Sequence, residues 1–170
     1  MNDDSADYNV ADYKDLTENW HCDPTAYLHR YYSLYFKKAN ASSDAVNVYV
    51  RQAPSKVCVL GMSEPPEGIR ALKLHTELIG EKVKPDTILC DLMDKDGKLI
   101  GHVRAEMEGK LLELNTRLTL TEEQQEEDMI DSLLYKEKHH MVIGFIGIIL
   151  PRFEDTAKQL REFVEETKNN

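Results

Sequence analysis

Residues 141–150, MVIGFIGIIL, restrict the possible folds more than any other part of the chain. A helix that crosses a bilayer needs about 20 apolar residues, so this run is too short to span one. It has to be a buried strand, and Pro151, which cannot continue a ladder, ends it.

The segments before it supply partners. Val46, Val48 and Val50 alternate with Asn47 and Tyr49, and residues 57–60 form a second apolar run, so the two read as paired strands. Between them, residues 51–55 hold Pro54 and turn. Residues 61–68, with Pro65 and Pro66, read as a loop. The imperfect alternation of Ile69, Ala71, Leu72, Leu74 and Leu78 favours strand over helix. Residues 83–86 contain a Pro-Asp turn, and 87–93 read as a strand. Asp96-Gly97 then predicts a two-residue hairpin with both turn positions at positive φ, leading into a strand over 98–105. Residues 107–114 predict another strand, after which Asn115 takes the left-handed turn.

Two helices are expected at the ends. One covers residues 24–38, where Tyr27, Leu28, Tyr31, Tyr32, Leu34 and Tyr35 recur at spacings of three and four behind Pro24. The other covers 156–168, with Ala157, Leu160, Phe163 and Val164 on one stripe. The expected class is therefore mainly β with short helices. At 170 residues the chain fits one domain with tails. Residues 1–23, with seven acidic side chains against Lys14 alone, form an acidic arm. Residues 24–155 form the single β domain, with an acidic insertion at 121–131 that opens on the capping-box pattern of Thr121 and Gln124. Residues 156–170 are the final helix and tail.

Charge and composition exclude several classes of function. With 31 acidic and 21 basic residues the net charge is -10, which repels a phosphate backbone and argues against direct nucleic-acid binding. The first ten residues have neither a basic nor an apolar region of a secretory signal, so the chain is expected inside the cell, and 31% charged residues argue against an integral membrane protein. Cys22, Cys58 and Cys90 are odd in number and lack CxxC spacing, so they are expected as buried thiols and not as a disulfide framework or zinc site.

No catalytic motif stands in the sequence: there is no GxSxG elbow, no phosphate loop, no HExxH and no dinucleotide turn. His139 and His140 are adjacent, and neighbours on a strand point to opposite faces, which argues against a shared metal. The expectation is a binding protein, without catalysis, cofactor or metal.

Gly109 to Asn115, followed by Leu118 and by Gly144-Phe145-Ile146-Gly147-Ile148-Ile149, resembles the closing half of lipoyl- and biotinyl-type carrier domains, above all the glycine-cleavage H protein. Carriers of that type bear their modified lysine on an upstream hairpin within a pattern such as E-[ST]-V-K-A. Here the hairpin reads Asp94-Lys95-Asp96-Gly97-Lys98, so Lys98 is the one carrier candidate, and it lacks that context. A lysine beside an Asp-Gly turn is ordinarily a solubilising charge.

The stretch from Gly144 to Asp155 is also similar to the G-[FY]-I-x-h-h-L-P-[KR]-F-E signature of the Abitram (Simiate) family, in which h is apolar. Residues 57–60 with Ser63, Glu64 and Pro66, and the tyrosine-rich residues 30–36, resemble the same family. The acidic insertion and the long acidic start depart from it. The resemblance implies a non-catalytic protein with an H-protein-like hybrid-motif fold that binds actin and influences filament assembly, with self-association a further expectation. It also implies residence in the nucleus, including speckles, and in the cytoplasm and cell projections. Two acidic proteins gain no long-range steering, so a contact would need a local basic or apolar patch. Lys37 and Lys38 beside Tyr35 and Phe36, and Arg152 with Phe153, are the candidates.

Overall fold

The computed structural model describes residues 31–40, 44–119, 134 and 144–166. Among them ten strands form two antiparallel sheets that share one hydrophobic core, and neither sheet closes into a barrel. The strands are β1 (Ser33–Lys37), β2 (Asn47–Gln52), β3 (Cys58–Glu64), β4 (Ala71–Leu74), β5 (Lys82–Val83), β6 (Ile88–Met93), β7 (Leu99–Arg104), β8 (Gly109–Leu114), β9 (Phe145–Pro151) and β10 (Val164–Glu165). The larger sheet runs β10-β1-β2-β3-β9-β8-β5, and the smaller runs β4-β6-β7.

The apolar run that dominates the sequence becomes β9, set between β3 and β8 in the larger sheet. Its alternation sorts two faces. Ile149 pairs with Cys58 on one side and Leu111 on the other, and all three are buried in the core. Leu150, one residue on, points the other way and is exposed. Val48, Val50, Leu60 and Met62 of the larger sheet join Leu72, Leu89, Leu92 and Val103 of the smaller in the same cluster. Cys58 and Cys90 belong to it as the expected buried thiols, whereas Cys22 lies outside the described residues.

Several expectations are corrected. Residues 33–37 of the expected first helix are strand β1: Leu34 is buried opposite Arg51, and the register with β2 satisfies backbone groups that a helix end would leave open. Most of the rest of that helix lies outside the described residues. The final helix is a single turn, α1 (Thr156–Gln159), started by the Asp155 carboxylate accepting from the Ala157 N–H at 3.0 Å. Leu160 and Phe163 then pack on the core, and β-branched Val164 enters β10, whose pairing with β1 recruits the open edge of the sheet. Tertiary pairing outweighed a helical stripe of modest length.

Gly61 to Glu64 continue β3 instead of looping, because the Tyr49 ring lies over Gly61 and occupies the space a side chain would need. Asn115 has φ -78° and is not left-handed. It caps a 3-10 turn by accepting from the Arg117 N–H, and its amide donates to the Phe145 carbonyl at 2.9 Å. At the β6–β7 hairpin only Gly97 has positive φ. The Asp94 carboxylate accepts from the N–H groups of Asp96 and Lys98, and the Gly97 N–H returns to the Asp94 carbonyl, so the turn is longer than the two-residue type. The acidic arm and the insertion at 121–131 lie outside the described residues.

Candidate protein-binding groove

Strand β5 has only two residues, and its short sequence sets up the site. Val83 is buried against the core, so by period-two alternation Lys82 and Lys84 are held out on the opposite side, both exposed. Pro85 ends the strand, and the Lys84 N–H, with no ladder partner, donates to Thr87 Oγ1 at 2.9 Å. Register does the rest. Lys82 pairs directly with Lys110 on β8, and Lys110 pairs directly with Leu150 on β9, so one exposed row crosses three strands as Lys-Lys-Leu.

Around that row is a groove of about 480 Å³ lined by Lys82, Lys84, Lys110 and Arg152, with Glu108 and the apolar Leu150 and Pro151. Gly109 forms part of its floor, where a side chain would collide with the Leu150 carbonyl. Among the described residues four cations face one carboxylate, and that carboxylate is already ion-paired to Arg152. The three lysines have no ion pair among the described residues. Like charges directly opposite each other in a sheet are unfavourable by roughly 0.2–1 kcal/mol, so nothing in the fold itself is gained by the Lys82–Lys110 apposition. Leu150 on this row is 42% exposed, and Leu112 further along β8 is 40% exposed.

Of the cations expected from the sequence, Arg152 lies on this groove. Its guanidinium is 5.1 Å from the Phe153 ring centroid, and the Lys158 ammonium sits over the same ring at 3.9 Å, so Phe153 is held between two cations. Lys37 is elsewhere and already engaged: its ammonium contacts Glu106 and Glu162, each at 2.7 Å, and both ends of the contact are part of the fold's own packing. Burial lowers the Lys37 pKa, but the two carboxylates outweigh that and raise it above the ordinary lysine value. Lys38 is exposed. Lys98 is exposed beside the β6–β7 turn, on the smaller sheet.

Sequence reasoning did not find Lys82, Lys84 or Lys110. Their grouping depends on a register between segments far apart in the chain, and the only local signal is the alternation Lys82-Val83-Lys84. It also did not find that two histidines share one carboxylate. On the smaller sheet Asp91 accepts from His75 Nε2 at 2.9 Å and bonds His102 Nδ1 at 2.6 Å, while Asp44 lies 3.4 Å from His102 Nε2 and also pairs with Arg104. This cluster ties β4, β6 and β7 to the segment before β2.

No protein-family model matches the chain, and no curated protein matches it.

Proposed function

We propose that the chain is a non-catalytic protein-binding module whose partner is actin, working through the cationic groove and the adjoining Arg152-Phe153-Lys158 stack. The observation that carries this is the Lys82–Lys110 row, without an ion pair among the described residues, beside exposed Leu150 in a chain of net charge -10. It is the local basic and apolar patch that a contact between two acidic proteins requires. The two antiparallel sheets over one core are compatible with a sandwich of the H-protein-like hybrid-motif type. The choice of actin, a role in filament assembly and residence in nucleus, cytoplasm and cell projections rest on the similarity of Gly144 to Asp155 to the Abitram signature.

Co-sedimentation with filamentous actin tests the reading. The wild-type chain should pellet with filaments, and Arg152→Glu should pellet several-fold less. Wild-type protein that stays in the supernatant at physiological salt removes the actin assignment. Lys37→Glu is a poor probe, because it would set a third carboxylate against Glu106 and Glu162 and damage the fold.

A carrier role at Lys98 is the second reading, favoured by the exposure of that side chain next to the hairpin turn. Intact mass of protein purified from its native source decides it: an added lipoyl or biotinyl group supports the carrier, and an unmodified mass removes it.

A further inference from the structure

The row Lys82, Lys110, Leu150 has an order that a purely electrostatic surface would not need. Two ammonium groups stand on neighbouring strands about 4.8 Å apart, and an exposed leucine stands one strand further on. Lys84 and Arg152 line the same groove. A ligand that neutralises this row has to present carboxylates to β5 and β8 and an apolar side chain to β9. It also has to lie across the strands, over roughly 10 Å, which three residues of extended chain cover.

We infer that the groove is a docking site for an acidic peptide segment of a partner protein, one in which two carboxylate side chains stand to one side of a leucine-sized apolar side chain. This rests on the reading of the chain as a protein-binding module and adds the chemistry of what it binds. Charge complementarity identifies the occupant: among the described residues four cations against one already-paired carboxylate favour an acidic ligand, and Leu150 and Pro151 favour a peptide side chain over a bare anion. A nucleic acid would meet the same lysines but would have to approach a molecule of net charge -10 and would leave Leu150 against its backbone.

Fluorescence anisotropy of the full chain with a labelled peptide carrying glutamate, glutamate and leucine at every second position, with serine between them, tests the inference, using glutamine-for-glutamate and serine-for-leucine analogues and a single-stranded oligonucleotide as alternative probes. The expected result is saturable binding of the glutamate–leucine peptide that weakens as salt rises, with both analogues weaker. Lys82→Glu/Lys110→Glu should weaken it on the order of tenfold or more, since each reversal replaces an attraction near the surface by a repulsion. Leu150→Ser should weaken it without changing the charge. Lys95→Glu/Lys98→Glu, the same charge change at the exposed hairpin of the other sheet, should leave it unaltered.

Equal loss in the groove and hairpin variants overturns the inference, as does tighter binding of the oligonucleotide than of the peptide. Peptide binding that appears only after the acidic residues at 121–128 are changed to their amides also overturns it, because the occupant is then the chain itself. Concentration-dependent dimers abolished by Lys82→Glu/Lys110→Glu would overturn it in favour of a second copy. Failure of the actin reading looks different: the peptide binds and filaments do not. Filaments pelleting equally with wild type and Lys82→Glu/Lys110→Glu leave the actin reading standing and remove the groove.

Discussion

Gly61→Ala should destabilise the protein through one contact. Gly61 pairs with Tyr49 across β2 and β3, and a Cβ built on Gly61 falls 2.5 Å from Cε1, Cζ and Oη of that ring. Carbon contacts are favourable at about 3.5–4.0 Å, so the ring would have to withdraw by roughly 1 Å. Tyr49 is fully buried and cannot swing into solvent. The backbone gives no reason for glycine here, since Gly61 is not among the residues with positive φ. Without the ring, alanine would therefore be expected to stabilise by about 0.4–1 kcal/mol through the unfolded chain. Overpacking a closed site costs about 1–3 kcal/mol, so the clash wins and the net loss is on the order of 1–2 kcal/mol. Urea unfolding followed by circular dichroism measures it. In a Tyr49→Leu background the same substitution should cost less than about 0.5 kcal/mol or stabilise, a coupling that a double-mutant cycle isolates. An equal cost in both backgrounds would refute the reasoning.

Burial alone would raise the Asp91 pKa, but hydrogen bonds from His75 and His102, with their charge, outweigh it and hold the carboxyl below the usual range. A depressed carboxyl stabilises the fold above its unfolded pKa of about 4 and loses that contribution as pH falls through the lower folded value. Asp91→Asn, which can accept from only one histidine through its single oxygen, should cost about 1–3 kcal/mol at pH 7 and flatten the loss of stability below about pH 4. Urea midpoints that differ from wild type equally at neutral and acid pH would contradict this. Burial pushes the Cys58 and Cys90 thiols up to about 12, so neither presents a thiolate near neutrality. Iodoacetamide at pH 8 should leave both unmodified in the folded chain and alkylate both in urea, with peptide mass spectrometry as the readout; rapid labelling of either in the folded chain would show its burial to be wrong.

The strands that were legible in the sequence are those whose reason is local. Val48 and Val50 against Asn47, the β-branched run at Ile88, the place of the Asp-Gly hairpin though not its turn type, and the apolar β9 each state their structure within a few residues. Strands β1, β5 and β10 were hidden because each is justified by a partner elsewhere. Ser33–Lys37 looks helical until β2 is beside it, and Val164–Glu165 reads as a helix end until β1 offers an edge. The candidate site divides the same way. Arg152 could be named from its motif, but Lys110 joins the candidate site only through its pairing with Lys82. Lys37 looked equally available, yet sequence does not reveal that two glutamates hold it. The resemblance that points to actin rests on Gly144 to Asp155, whose first half is core strand and whose second half borders the groove.

The order of the larger sheet also governs when the molecule can be finished. β3 takes β9 as its outer neighbour, and β1 takes β10, so one ladder joins parts of the chain separated by about half of its length and the other parts separated by most of it. Non-local pairings of this kind slow folding, because loop closure has to precede the contacts that reward it. On the ribosome the β1–β2–β3 unit emerges early with unsatisfied backbone on both flanks, and the strand that seals its apolar side is made near the end. A chain stalled before residue 145 would therefore expose two open sheet edges at once, a form prone to pair with other chains and suited to capture by chaperones.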